Sequence, residues 1–520
     1  MQPKLWIKRN APILLRKNIV IVTPELKSFK VRSGGLGPAV EELAKALAEF
    51  NLKVHIVTPL YRRFFKGREP VEVDYSDIFL KDMGEVNIRV SGGDAKTKIK
   101  MSHVGKALVY FLENEKYADI LYFGDMLKQC IFLARGTLEV LKKFKIKPSI
   151  VHLNDGHTGL VPFFMKFDPR YSQNPLFEKT KFVLTIHNAG TGYQQIFELE
   201  RYKELEVDER YRDFVTWNGK MNLLYTALNL CDRCNTVSKD YEVTLKYDGE
   251  GLTEVFWRKK LFNIVNGIDV DYWRNPELKD KKKITKEMLK KIKQRAKRKL
   301  IKVIEERTGK KLKESELIAV MPRRLAGQKG FDVLMPHIHE ICKPVKEGGL
   351  GFQIISLGVA HPWDPVGNEW AREFERLSKE ISGFVFIYGF DEELAKLMYW
   401  GGDLIIYPSV PNKEPCGTGY MMAAVNGTPA LATKTGGIVE KITEFNPILE
   451  IGDGFLVWEE EYSPEAFFEK MKFISYLYYK KPKKWLAACF NAFNMYVDIM
   501  GTAMEYISRL YKPLFTRKPL

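Results

Sequence analysis

Four times in this chain a short apolar run ends in a glycine-bearing loop that opens a helix-like segment. The runs are residues 18–23, 318–322, 403–408 and 429–433. The loops behind them carry Gly34-Gly35, Gly327 with Gly330, Gly417 with Gly419, and Gly436-Gly437. Short apolar runs bounded by turn residues suit strands buried on both faces, and their alternation with helices builds a parallel sheet. Runs at 53–59, 149–153, 181–186 and 233–237 extend the pattern in the first half, and runs at 351–357 and 383–388 extend it in the second. The fold class is therefore α/β. In open α/β sheets ligands bind beyond the carboxyl ends of the strands, which makes these loops the candidate site.

A chain of 520 residues is too long for one core. The pattern divides it into 1–262, 263–490 and a last segment, 491–520, while residues 96–109 alternate like a hairpin inserted in the first domain. Hydrophobic residues at 45% and charged residues at 28% describe a globular protein. No run approaches the ~18 apolar residues of a membrane span, and the run at 18–22 is too short for a signal peptide. The expected location is the cytoplasm, with no membrane partner. Much of the net charge of +17 lies in residues 279–313, expected to be a helical, solvated connector, and in 480–484. No helix-turn-helix, finger or RNP-type pattern accompanies it, so nucleic acid is not expected as a partner. Cys231 and Cys234 form the one Cys-x-x-Cys of the chain, without a second pair, and burial as small apolar side chains is expected rather than zinc.

The loops carry chemistry. A helix start exposes unpaired N–H groups, so Gly417, Thr418 and Gly419 suit a phosphate, while Glu414 suits the hydroxyl end of the same ligand. In the first half, Gly34 and Gly35 precede a helix with Val40, Leu43, Ala44 and Leu47 at one face, and Arg32 adds a cation. Arg324 and Lys329, five residues apart in the loop after 318–322, are placed to neutralise a diphosphate, with a helix expected from Phe331. His157 stands just past the strand at 149–153.

Arg32-Ser33-Gly34-Gly35-Leu36, Asp155-Gly156-His157-Thr158-Gly159, Thr185-Ile186-His187-Asn188, Asn235-Thr236-Val237-Ser238, Asn266-Gly267-Ile268-Asp269, residues 324–330, Glu414-Pro415-Cys416-Gly417 and Thr435-Gly436-Gly437 occur in one order along residues 18–450. In that order they resemble the bacterial and archaeal glycogen (starch) synthases. The resemblance implies two Rossmann-like domains facing across a cleft, the GT-B arrangement, with 1–262 on the acceptor side, 263–490 binding the nucleotide sugar, and the last helix crossing back to the first domain. It implies a retaining hexosyltransferase that moves glucose from ADP-glucose or UDP-glucose to the non-reducing end of an α-1,4-glucan, with no cofactor and no metal. Glu414, His157, Arg324 and Lys329 are then the catalytic set. Arg32, Gly34, Gly35, Asn188, Ser238, Phe390, Cys416, Gly417, Thr418 and Gly419 are the donor-binding set, with Phe390 stacking on the base. Oxidation of Cys416 is expected to inhibit.

The match has departures. Arg32 stands for the usual Lys, Asn154 for a common His, Gly156 for a common Trp and Thr418-Gly419 for a common Leu-Thr. Residues 152–157 and 414–424 also resemble α-glucan phosphorylases, which hold pyridoxal phosphate on a lysine; that register falls on Met422 here, and a thioether forms no imine. Phosphorylase-like activity, or another acceptor on the same fold, is the alternative. A non-catalytic glucan-binding scaffold is the third reading, opposed by the intact Glu414, Arg324 and Lys329.

Overall fold

The computed structural model describes residues 2–31, 34–66 and 69–516. They form two compact units, Met1–Val265 with Ile499–Leu520, and Asn266–Asp498.

The first unit is built on a nine-stranded sheet. Its spatial order is Leu261–Asn263, Arg233–Thr236, Lys181–Ile186, Ile150–Asn154, Asn18–Val22, Lys53–Pro59, Ala107–Glu113, Gly93–Val104 and Lys81–Val90. The strands run parallel as far as Ala107–Glu113, and the last two pair antiparallel. The chain builds outward from Asn18–Val22 on one side, then returns to lay Ile150–Asn154 on the other. The carboxyl ends of those two strands therefore flank the point where strand order reverses, the favoured ligand position in such sheets. Helix Leu36–Glu49 buries Val40, Leu43, Ala44 and Leu47 as the periodicity requires. The segment from Ile499 adds Tyr506 and Tyr511 to the core, with the Tyr511 hydroxyl 2.7 Å from His152 Nδ1 and Asn235 Nδ2 donating to the Tyr506 hydroxyl at 3.1 Å.

The second unit is a six-stranded, all-parallel sheet in the order Phe384–Tyr388, Phe352–Gly358, Leu317–Pro322, Leu404–Tyr407, Ala430–Thr433, Gly454–Val457. This is the doubly wound 3-2-1-4-5-6 order, and its reversal lies between Leu317–Pro322 and Leu404–Tyr407. Both strands read as continuous apolar runs because helices cover both faces.

Three expectations need correction. The hairpin expected at 96–109 is larger, Gly93–Val104 with Ala107–Glu113, and with Lys81–Val90 it forms an edge of the main sheet. The helix expected from Phe331 is a 3-10 stretch, Phe331–His337, before a short α-helix, Ile338–Cys342. Pro336 lies inside it and supplies no N–H for a regular α-turn. The basic connector is not simply solvated. Helix Lys286–Thr308 buries Lys293, whose ammonium donates to the carbonyl of Gly402 at 2.8 Å and the Thr428 hydroxyl at 2.6 Å, and Lys297, paired with Asp403 at 2.6 Å. Among the described residues no helix is long and apolar enough to cross a membrane.

Candidate active site

At the reversal point of the second unit, strand Leu317–Pro322 runs into Arg323 and strand Leu404–Tyr407 runs toward Ser409. Glu414 lies buried between them. Its Oε1 accepts from Lys329 Nζ at 2.5 Å and from the Tyr407 hydroxyl at 3.4 Å. Its Oε2 accepts from Arg323 Nη2 at 2.6 Å and from the Ser409 hydroxyl. The Arg323 guanidinium carbon sits 3.8 Å from the centroid of the Tyr407 ring. Burial alone would push the Glu414 carboxyl up, but Lys329 and Arg323, with hydrogen bonds from Lys329 and Ser409, bring it down to about 2. Lys329 is pushed down to about 8 by burial, with Glu414 opposing and Arg323 and Arg324 adding to the fall. At pH 7 the pair is an anionic carboxylate and a protonated amine.

Close backbone approach holds the carboxylate in place. Gly330 has φ 65°, and a Cβ there would stand 1.9 Å from the Pro408 carbonyl oxygen, so only glycine lets this loop close on the neighbouring strand end. Val410 N donates to the Gln328 carbonyl at 3.1 Å and ties the same two loops.

The remaining residues expected in this unit are distributed as follows. Arg324 is half-buried, and among the described residues no hydrogen bond or ion pair engages its guanidinium; its charge reaches both Lys329 and His361. Phe390 is 68% exposed, as a platform for a planar group requires. Thr418 and Gly419 open a helix of six residues, Gly419–Ala424. A Cβ at Gly417 would lie 2.0 Å from the Tyr407 hydroxyl, so that glycine makes room for Tyr407. Burial pushes the Cys416 thiol up to about 12. Thiolate is the oxidisable form, so the expected sensitivity of Cys416 to oxidation does not follow from its surroundings.

In the first unit the reversal point carries Asp155 and His157. Asp155 has φ 54° and ψ −175°, an unusual backbone state for a residue with a side chain. Its Oδ1 accepts from the backbone N–H of His187 at 2.7 Å and of Asn188 at 3.3 Å, while Oδ2 is buried without a hydrogen-bond partner among the described residues. Burial raises this carboxyl to about 8, with Glu25 adding to the rise. Asn154 Nδ2 donates to the Val22 carbonyl at 2.9 Å and its Oδ1 lies 3.0 Å from His187 Nε2, so the amide bridges the two strands of the reversal point. His157 is buried, and burial lowers it to about 4, which leaves a neutral imidazole. A Cβ at Gly156 would stand 2.3 Å from the Gln194 carbonyl oxygen, which explains glycine there: the segment 193–195 packs directly on it.

Gln195, in turn, places its amide Nε2 2.9 Å from His157 Nε2. Asn188 Oδ1 accepts from Gly190 N at 2.8 Å. Ser238 caps helix Lys239–Tyr247, its oxygen accepting from Tyr241 N at 3.1 Å. Gly34 and Gly35 are exposed, with open space where a Cβ would stand. Arg32 lies outside the described residues.

The structure thus brings Glu414 and Lys329 together and adds Arg323, Ser409 and Tyr407, which the motif reading missed. The Arg323-Arg324 doublet was the available signal. Adjacent residues leaving a strand point to opposite sides, so one of the two had to face the next loop. Gln195 carried no sequence signal beyond its place after Tyr193-Gln194. Among the described residues no cluster of His, Cys, Asp or Glu is arranged to hold a metal ion, and Cys231 and Cys234 are buried free thiols.

The chain as a whole is similar to known proteins. The family model for the starch synthase catalytic domain matches residues 18–258. The chain is 30% identical to a glycogen synthase of Geotalea daltonii over 467 residues, spanning 87% of this chain and 90% of that one. It is 30% identical to a glycogen synthase of Fervidobacterium nodosum over 508 residues, spanning 95% and 98%. The fold matches the catalytic domain of starch synthase IV from Arabidopsis thaliana, solved bound to ADP and acarbose, with a TM-score of 0.80 at 23% identity over 97% of this chain. With two near full-length relatives at that identity and the GT-B fold of a starch synthase, the chain belongs to the glycogen synthase family of glycosyltransferases.

Proposed function

We propose that this enzyme transfers glucose from a nucleoside diphosphate glucose to the non-reducing end of an α-1,4-glucan with retention, using Glu414, Lys329 and Arg324 in the second unit and His157 in the first. The observation that carries the reading is the charge arrangement at Glu414. A carboxylate fixed by two cations beside a third, Arg324, whose guanidinium has no hydrogen bond or ion pair among the described residues, matches what departure of a diphosphate from a sugar requires. Cations stabilise charge that grows on the leaving group, and a fixed anion accepts hydrogen bonds from sugar hydroxyls as the ring gains positive character. Lys329 and Arg324 neutralise the diphosphate, Arg323 keeps Glu414 ionised when Lys329 turns to the phosphate, and Phe390 stacks on the base. The 417–419 amides in the second unit and Gly34 and Gly35 in the first are each candidate phosphate-binding turns, and Asn188 and Ser238 are candidates for the sugar. The ADP held by the Arabidopsis starch synthase makes ADP-glucose the first donor to test, and its acarbose supports a glucan-type acceptor.

The test is product release from glycogen with ADP-glucose or UDP-glucose, run beside glycogen with inorganic phosphate. Nucleoside diphosphate formed only when glycogen is present establishes the transferase and identifies its donor. Glucose 1-phosphate formed from inorganic phosphate makes the enzyme a phosphorylase and overturns the reading of Met422, which is buried in helix Gly419–Ala424.

A further inference from the structure

We infer that Gln195 is a positioning residue that sets the tautomer of His157, so that the imidazole presents an Nδ1–H donor to the sugar. The inference rests on the glucosyl-transfer reading above and adds a residue that the family motifs do not contain.

The Gln195 side chain is buried and sits on a residue with φ 60° and ψ 77°, which aims it back at the histidine. Its Nε2 donates to the Gly192 carbonyl at 2.6 Å and lies 2.9 Å from His157 Nε2. The contact with a carbonyl identifies this atom as the amide nitrogen, since an oxygen there would face another oxygen. An amide nitrogen carries two hydrogens and accepts nothing. One hydrogen goes to Gly192, and the other goes to the lone pair of His157 Nε2. The Gln195 Oε1, on the far side, accepts weakly from the Cys130 thiol at 3.9 Å.

A neutral imidazole has one N–H, so with Nε2 accepting, the hydrogen resides on Nδ1. That Nδ1 is buried and has no hydrogen-bond partner among the described residues. A buried donor left unpaired is unfavourable, and one held in place by a neighbour is fit for a ligand oxygen. The surroundings keep the ring neutral. Tyr122 packs at 5.0 Å between ring centroids, Tyr61 and Cys130 line a small cavity together with His157, and Asp155 stands two residues before it. Burial alone accounts for the lowered basicity of His157.

Two measurements test this. In [15N]histidine-labelled wild-type enzyme, with the His157 signal assigned by its loss in His157→Asn, long-range 1H–15N spectra between pH 6 and 8 will show a protonated Nδ1 and a bare Nε2. A protonated Nε2 overturns the proposal, and this measurement needs no Gln195 variant to fold. In turnover assays, Gln195→Met keeps the shape but removes the donor, and kcat/KM falls about tenfold or more, the worth of one fixed hydrogen bond. Gln195→Glu replaces a donor with an acceptor, so the neutral ring turns its hydrogen to Nε2 and leaves Nδ1 bare. Lower pH then restores Nδ1–H by forming the imidazolium, and between pH 7.5 and 6.5 the activity of this variant rises as pH falls while the wild type changes little. Wild-type rates in a folded Gln195→Met, or a wild-type pH profile in Gln195→Glu, would overturn it. Failure of the broader reading is separate: it shows as wild-type enzyme that releases no nucleoside diphosphate from either donor.

Discussion

The two units each bury an arginine against carboxylates, and the two arginines are treated differently. In the first unit Arg135 is fully buried, with Nε donating to Asp168 at 3.2 Å, Nη1 to the Arg89 carbonyl at 2.9 Å, and Nη2 to Asp168 at 3.1 Å and to the Leu205 carbonyl. In the second unit Arg323 gives Nη2 to Glu414 and Ser409, while Nε and Nη1 are buried with no hydrogen-bond partner among the described residues. Both guanidiniums lie over an aromatic ring, Phe164 at 4.2 Å and Tyr407 at 3.8 Å. A fully bonded buried ion locks the chain around it. A half-bonded one leaves buried donors that are unfavourable unless something further pairs them, and the proposed function assigns that part to the ligand.

That contrast can be broken by mutation. The largest effect is expected for Glu414→Gln, which lowers turnover by about 1,000-fold, in the range of losing a central electrostatic group. Its melting temperature should fall too, since Lys329, already lowered to about 8, can give up its proton but Arg323 cannot, yet the protein that stays folded should still lack activity. A folded fraction that retains its rate would place Glu414 with Arg135 as a structural ion. Arg135→Met should differ, with a loss of about 3–5 kcal/mol of stability and near-normal specific activity in whatever fraction stays folded. Denaturant titration alongside specific activity separates the two outcomes.

Acid sharpens the same comparison. His55, His152, His157 and His187, all in the first unit, are held down to about 4, 3, 4 and 3, chiefly by burial. The unfolded chain takes up these protons first as pH falls below about 6.5, so the stability present above that value is lost on the way down. Asp155 works against this, because its raised carboxyl keeps a proton that the unfolded chain releases. The net loss between pH 7 and 5.5 is about 3 kcal/mol. It should show in hydrogen exchange as earlier opening of the first unit's sheet than of the second's. Equal opening of both sheets would contradict it.

The smallest expected effect is on the basic side. Lys329 is protonated below about 8 and loses its charge above. The kcat/KM for the nucleotide sugar, which reports the free enzyme, should fall about tenfold per pH unit above that point. In Lys329→Arg the limb should disappear, and its persistence would assign it to another group.

Much of this protein was legible as sequence. Strand positions such as Lys53–Pro59, Lys181–Ile186 and Leu317–Pro322 follow from apolar runs cut off by turn residues, and the helix behind Gly34-Gly35 follows from its periodicity. The stretch at Phe331–His337 departs from the expected helix because Pro336 lies inside it and supplies no N–H for a regular α-turn. The solvated reading of Lys293 and Lys297 failed because charge alone does not show which face of a helix meets neighbours carrying free carbonyls.

The sequence by itself determined the alternation of strands and helices, the glycine turns, and the kinds of side chain available at the strand ends, because each depends on neighbours a few residues away. Only the tertiary structure decided that Arg323 rather than Arg324 grips Glu414, 91 residues along the chain, and that Gln195 meets His157 across 38 residues. Those pairings depend on which strands lie side by side and which side of the sheet each loop returns on. Strand order is set by packing the whole unit, and no local pattern in the chain encodes it.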